Sequence, residues 1–285
     1  MKGVILAAGD GTRLVPLTLD RPKPLVPVLG RPLLDYTLDA FVAAGITDLV
    51  LVVGYKEEMI RAWVGDGHRY GAQVTYVSNP NYELENAISL YAAREAVPDQ
   101  PFILSMADHM ISPHILAHLL AMEGHHDTLC IDRLAYAFSQ VNDATKVWVV
   151  TDGQGEAGFI TRIGKEIKPW NAIDTGVFLF TPAIFTAIES LLRAGVDNPN
   201  ISASVTQLIE SGHGLRACDV SGAFWLDVDT LADLRYAEAV LRRRTGLRPG
   251  EDGELPPVNA RSLLRPRHSR PWTFSFGLWA EEYEP

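Results

Sequence analysis

The sequence predicts an α/β fold: a doubly wound, mostly parallel sheet with a small β-rich part attached. Three observations predict it. Strand-sized apolar runs alternate with helix-spaced segments over residues 1–110. Those strands are apolar at nearly every position, as in a parallel sheet covered on both faces. Past residue 110 the alternation loosens, a hairpin intervenes, and a strong helix closes the pattern near residue 243.

Residues 4–7 form a short apolar run ending in glycines, a buried strand. Residues 33–44 carry Leu34, Leu38, Phe41 and Val42 at helical spacing and stop at Gly45. A strand over 49–53, a helix over 57–64, a strand over 73–77, a helix over 86–96 and a strand over 102–106 follow. Residues 115–122 read as a helix and 128–132 as a strand. Residues 146–151 and 158–164 flank Asp152-Gly153-Gln154-Gly155 as a hairpin with a loose turn. A strand over 173–181, helices over 183–193 and 203–211, short strands over 215–220 and 224–226, and a helix over 230–243 complete the reading.

Two segments result: residues 1–244 as the folded domain, and 245–285 as a loosely packed Pro/Arg-rich extension. Pro249, Pro256, Pro257, Pro266 and Pro271 break any period there. With 47% hydrophobic and 21% charged residues in 285, the chain has ample core and is neither disordered throughout nor a rod. A net charge of −10 argues against sequence-independent nucleic-acid binding, which needs surplus cations. No apolar run approaches the ~18–20 residues of a membrane span. The two cysteines, Cys130 and Cys218, form neither a disulfide framework nor a zinc ribbon, so a reducing, cytoplasmic setting is expected. His114, His118, His125 and His126 lack an H-E-x-x-H or cysteine context and read as surface histidines.

The chemistry concentrates after the first strand. Gly9-Asp10-Gly11-Thr12-Arg13 is a glycine-rich turn where backbone N–H groups can approach phosphates. It is neither a dinucleotide fingerprint nor a P-loop, since Arg13 and Leu14 stand where a glycine is wanted and no Gly-Lys-Ser/Thr follows. Arg21-Pro22-Lys23-Pro24 adds a proline-stiffened lysine. Two glycines, an arginine for bidentate phosphate contact and a lysine together suit a polyphosphate. Asp108 ends the strand at 102–106, the edge where open α/β sheets bind ligands. In Trp225-Leu226-Asp227-Val228-Asp229-Thr230, Asp227 and Asp229 share one strand face, although Asp229 also suits the cap of the following helix.

Leu6-Ala7-Ala8-Gly9-Asp10-Gly11-Thr12-Arg13-Leu14, then Pro16-Leu17-Thr18, Arg21-Pro22-Lys23-Pro24-Leu25, Gly30-Arg31-Pro32-Leu33-Leu34 and Ala44-Gly45-Ile46, resemble the sugar-phosphate nucleotidyltransferase family. The resemblance runs to about residue 243. It implies a Rossmann-like nucleotidyltransferase fold and an enzyme that joins a nucleoside triphosphate to a phosphate monoester, releasing pyrophosphate. It implies catalytic roles for Arg13 and Lys23, and nucleotide binding by Leu6, Ala7, Ala8, Gly9, Gly11, Thr12, Asn79, Asn86 and Ser89. It further implies Mg²⁺ held by Asp108 and Asp227, with Asp229 left to capping. Acceptor binding falls to Lys146, Lys165, Asn171, Asp174 and Thr175.

Within the family, Asn79–Leu90 resembles the cytidylyltransferase branches that use choline phosphate, aminoethylphosphonate or inositol 1-phosphate, and Asp108-His109, Ile163-Gly164-Lys165, Asn171–Gly176 and Trp225–Thr230 are similar to the CTP:inositol-1-phosphate cytidylyltransferase branch. That branch implies CTP and inositol 1-phosphate as substrates. A hexose 1-phosphate or phosphocholine is the alternative, Trp148 and Trp170 keeping an aromatic cage for choline open. A non-catalytic nucleotide-sensing subunit is the alternative of another class. Expected partners are small-molecule substrates, a second copy of the chain in a homodimer, and a separate membrane phosphotransferase that consumes the product.

Overall fold

The computed structural model describes residues 1–97, 99–134, 143–151 and 158–245. The turn expected at 152–155 and the extension expected from 245 onward lie, apart from residue 245 itself, outside them. The elements run β1 (Lys2–Ala7), β2 (Pro27–Val28), β3 (Arg31–Pro32), α1 (Leu33–Ala43), β4 (Asp48–Val53), α2 (Glu57–Val64), β5 (Gln73–Ser78), α3 (Asn86–Ala92) and β6 (Phe102–Met106). They continue with β7 (His109–Ile111), α4 (Pro113–Ala121), β8 (Thr128–Asp132), β9 (Lys146–Val150), β10 (Phe159–Gly164) and β11 (Ala172–Phe180). Last come α5 (Ala183–Arg193), α6 (Ile201–Glu210), β12 (Leu215–Asp219), β13 (Trp225–Asp227) and α7 (Leu231–Thr245). The helix expected over 86–96 is α3 followed by a 3-10 turn at Ala93–Ala96.

One sheet organises the molecule, in the order β5-β4-β1-β6-β11-β8-β12-β10-β9, with β9 pairing back onto β11. The first four strands are parallel. The expected mostly parallel sheet is instead mixed, because β11 enters antiparallel between β6 and β8 and the β9–β10 hairpin is antiparallel too. An antiparallel neighbour needs no helical crossover, so this half carries fewer of the alternations that mark a parallel sheet.

Helices cover both faces, and the strand pleat decides which residue meets which layer. Ile5 and Ala7 pack with Leu38 and Phe41 of α1, Ile60 of α2 and Leu116 of α4. Val4 and Leu6 point the other way, toward Leu90 of α3, Ile188 of α5 and Val205 of α6. A third, smaller cluster joins Leu14, Val26, Val28 and Leu33 to Met110, Leu226, Val228 and to Leu234 and Ala237 of α7. That cluster matters for function. It clamps the loop after β1 onto the two-stranded β7–β13 ribbon, whose strands lie far from that loop in the chain. No helix among the described residues is long and apolar enough to cross a membrane.

Candidate active site

β1 lies between β4 and β6, and the chain leaves β1 toward β4, so the crevice between β1 and β6 is the point where strand order reverses. Ligands of open α/β sheets bind outside the carboxyl ends of strands at such a point. Ala107 donates its N–H to Leu6 O at 2.9 Å, bringing the end of β6 beside the glycine-rich loop. The loop itself is anchored: Ala8 O accepts from Tyr55 N, and Thr18 Oγ1 donates to Gly11 O at 3.0 Å. Gly11 has φ +68°, and a Cβ there would lie 2.5 Å from Lys23 Cβ. Glycine is required both by the left-handed backbone and by the lysine stem that packs on it.

Lys23 is buried in the loop, and its Nζ donates to Asp108 Oδ2 at 2.5 Å and to Asp229 Oδ1 at 2.6 Å. Arg13 reaches the same Asp229 Oδ1 at 2.7 Å. On the far side of Asp108, Oδ1 lies 3.0 Å from His109 Nδ1, and His109 Nε2 lies 4.0 Å from Asp227 Oδ2. The β7–β13 register places Asp227 directly opposite His109. Two cations, three carboxylates and an imidazole therefore share one cleft.

The electrostatics are tightly coupled. Burial works against the Lys23 ammonium, but Asp108, Asp227 and Asp229 outweigh it and hold its pKa above the ordinary lysine value. Burial likewise opposes an ionised Asp108, and Lys23 with His109 overcomes it, holding that carboxyl well below the usual range. For Asp227, burial reinforced by repulsion from Asp108 and Asp229 prevails over His109 and Lys23, pushing its pKa up to about 7. Burial would lower His109, yet Asp227 and Asp108 raise it to about 9.

Asp108, His109 and Asp227 each present a ligand atom, all within 4.8 Å of one another. A carboxylate whose charge is penalised until more positive charge arrives, beside a second carboxylate and an imidazole, fits a divalent cation. Among the described residues this is the one such cluster.

The expected nucleotide residues separate into two groups. Leu6, Ala7 and Ala8 are buried at the end of β1, while Gly9, Gly11 and Thr12 line the loop beyond them. Asn79 and Ser89 are buried and paired, Asn79 Nδ2 donating to Ser89 Oγ at 2.9 Å. Asn86 differs: its Oδ1 accepts from Ile201 N, so its side-chain carbonyl ties the start of α3 to the start of α6.

Among the residues expected to bind the acceptor, Lys165 Nζ donates to Asp143 Oδ1 at 2.8 Å, and the other oxygen of Asp143 lies 3.2 Å from Arg13 Nη1. Asp143 thus bridges the expected nucleotide and acceptor subsites. Lys146 Nζ donates to the Lys165 carbonyl at 2.8 Å, bracing the backbone that carries Lys165. Asp174 is partly buried, accepts from Gly176 N at 2.7 Å, and is raised by burial to about 6. Asn171 and Thr175 depart from the expectation of hydroxyl-binding groups. The Asn171 amide pairs both ways with the Val149 backbone, and Thr175 is fully buried with its hydroxyl donating to Cys130 O. Backbone groups at the bulged β8–β11 and β9–β11 pairings take those side chains as partners.

The capping role expected of Asp229 belongs to other residues. Asp233 Oδ2 accepts from Thr230 N at 2.7 Å, and Thr230 Oγ1 accepts from Asp233 N, a capping box that leaves Asp229 to the two cations. Its signal was present in the sequence, as a carboxylate two positions from Asp227 on one strand face. His109 carried a weaker signal, adjacency to Asp108. Asp143 carried none.

A glycine-rich turn at the sheet's switch point, with cations facing a metal-competent acidic pair, defines a protein built to hold a phosphate-rich nucleotide. The chain belongs to the nucleotidyl transferase family, whose model matches residues 2–244. It is 34% identical over 239 residues to the bifunctional IPC transferase and DIPP synthase of Aquifex aeolicus, covering 84% of this chain and 51% of that protein. The protein of that name from Rubrobacter xylanophilus gives the same identity and 51% coverage, so the chain spans about half the length of these relatives. The UTP--glucose-1-phosphate uridylyltransferase AglF of Haloferax volcanii is 34% identical over 251 residues, covering 86% of this chain and 98% of that one. Among solved structures, the inositol-1-phosphate CTP transferase from T. maritima matches with a TM-score of 0.72 and 27% identity, over 83% of this chain and 93% of its own.

Proposed function

We propose that this chain transfers CMP from CTP to inositol 1-phosphate, giving CDP-inositol and pyrophosphate with a divalent ion, Mg²⁺ being the ion implied by the resemblance. The observation that carries the reaction class is the convergence of Lys23 and Arg13 on Asp229 beside Asp108. The choice of substrates is supported by the solved structure named as an inositol-1-phosphate CTP transferase and by the matched half of the IPC transferase relatives.

An oxygen of the acceptor phosphate attacks the α-phosphorus of CTP, the new P–O bond forms, and the bond to the β-phosphate breaks in line with it. The acceptor dianion already carries its attacking electron pair, so no protein base is required. The glycine-rich backbone at Gly9 and Gly11 would receive the phosphates. Arg13 and Lys23 would neutralise charge moving onto the leaving pyrophosphate. Lys165, held by the braced backbone at Lys146, would orient the acceptor phosphate. Asp108 and Asp227 would hold a divalent ion, which supplies further neutralisation of the triphosphate.

A second reading, a hexose 1-phosphate as acceptor with UTP as donor, is favoured by the near-complete coverage of the uridylyltransferase relative. One screen separates them: CTP and UTP against inositol 1-phosphate, glucose 1-phosphate and phosphocholine, read by pyrophosphate release. CTP with inositol 1-phosphate should exceed every other pair. Highest turnover with UTP and glucose 1-phosphate overturns the first reading, and nucleotide binding without turnover on any acceptor identifies a silent sensor.

A further inference from the structure

We propose that His109 is a nitrogen ligand of the divalent ion at this centre and shifts its preference from Mg²⁺ toward Mn²⁺ and Co²⁺. The inference rests on the reading that the cleft works with a divalent ion, and it holds whatever the acceptor.

The imidazole is presented as an imidazole ligand would be. Its Nδ1 lies 3.0 Å from Asp108 Oδ1, while Nε2 faces Asp227 Oδ2 across 4.0 Å. Asp108 on one ring nitrogen orients the imidazole and leaves the other nitrogen facing Asp227, where a bound ion would take the place of its proton. The 4.0 Å separation is beyond a hydrogen bond and close to the sum of two metal–ligand bonds of about 2.0–2.2 Å each.

The ring is also locked there. Thr37 Oγ1 donates to the His109 carbonyl at 2.9 Å, and the β7–β13 register sets its backbone against Asp227. Position 176 makes room for it: Gly176 has φ +74°, and a Cβ there would come within 2.6 Å of His109 Nε2. A side chain at 176 would drive the ring out of the cleft.

Two carboxylates alone suit Mg²⁺, a hard ion that binds oxygen and gives up water reluctantly. Adding an imidazole nitrogen favours the softer first-row ions, in the order Mn²⁺ below Co²⁺. The Asp-His pair at the end of β6 therefore widens or redirects the metal range of the site.

The test uses the full chain, with Mn²⁺ as a paramagnetic probe and with Mn²⁺, Co²⁺ and Mg²⁺ titrated separately by calorimetry, each in the absence and presence of a non-hydrolysable CTP analogue. Electron spin-echo spectroscopy of bound Mn²⁺ should show directly coordinated ¹⁴N that becomes ¹⁵N when the protein is grown on ¹⁵N-histidine. His109→Asn should abolish that coupling and reduce the Mn²⁺-over-Mg²⁺ affinity ratio by at least about tenfold, while Asn retains an oxygen donor. The labelled wild-type spectrum needs no variant, so a misfolded substitution leaves the question answered. Absence of histidine nitrogen coupling in both states, an unchanged ratio in a folded His109→Asn, or no ion binding at all overturns the proposal. None of these readouts uses turnover, so failure of the acceptor assignment is seen separately.

Discussion

Lys23 Nζ lies 2.6 Å from Asp229 Oδ1, joining a loop after the first strand to the residue that leads into the last helix, 206 positions apart. With Asp108 on its other side, the ammonium is the hub between the glycine-rich loop and the carboxylates. Lys23→Ala should lower turnover at least ~10²-fold, the scale of losing one preorganised charge-stabilising donor. Pyrophosphate release at saturating substrates checks it, and near-normal turnover removes Lys23 from the site.

Asp229 and its neighbours separate catalysis from stability. Asp229→Asn weakens the contacts that orient Arg13 and Lys23 but leaves the Thr230–Asp233 capping box in place. Turnover should fall at least tenfold, on the order of 1.4 kcal/mol or more in the barrier, with the melting temperature little changed. Thr230→Ala should do the reverse, costing about 1 kcal/mol of stability with the kinetic constants near wild type. The opposite pairing of effects would return Asp229 to a capping role.

Asp143 occupies both Arg13 and Lys165 with a carboxylate where the substrates would place phosphates. Both pairs are exposed, so the competition is modest, up to about 1 kcal/mol or roughly fivefold. Asp143→Ala should lower the KM for the phosphate-bearing substrates within that range at low salt, and the difference should vanish at high ionic strength. A higher KM would make Asp143 a substrate ligand instead of a competitor.

Asp174 gives a pH signature. Burial raises its folded-state pKa to about 6 from the ordinary 3.8. Well below pH 3.8 both states are protonated and no penalty applies. As pH rises from about 4 to about 6 the unfolded chain releases its proton first, so stability falls with pH and the cost is complete above about 6. About two pKa units correspond to at most about 3 kcal/mol. Asp174→Asn, which keeps an acceptor for Gly176 N–H, should raise stability at pH 8 and not at pH 4. Equal effects of the substitution in denaturant titrations at both pH values would place the cause elsewhere.

The alternation of apolar strands with helix-spaced segments survives into the structure almost element by element, because strand pleat and helical period are local properties. The strand over 102–106 and the helices over 57–64 and 183–193 fall where their spacing predicts. Pairing direction is another matter. β11 reads as an apolar strand whichever way it runs, and its antiparallel place between β6 and β8 depends on a return path through the β9–β10 hairpin. The polar residues divide in the same way. Asp108 and Lys23 sit in motifs whose neighbours mark them, whereas the amide of Asn171 and the hydroxyl of Thr175 are claimed by backbone groups that only strand pairing brings near.

By itself the sequence determined the glycine-rich turn, its two cations and the strand-end aspartate, since each is written within a few residues and rests on backbone geometry that those residues impose. Tertiary structure alone decided that Asp229 meets Lys23, that His109 turns between two carboxylates, and that Asp143 spans the cleft. Those contacts close over separations of up to 206 residues, through the β7–β13 ribbon and the apolar cluster under α7. Their geometry is a property of packing, which no local period encodes.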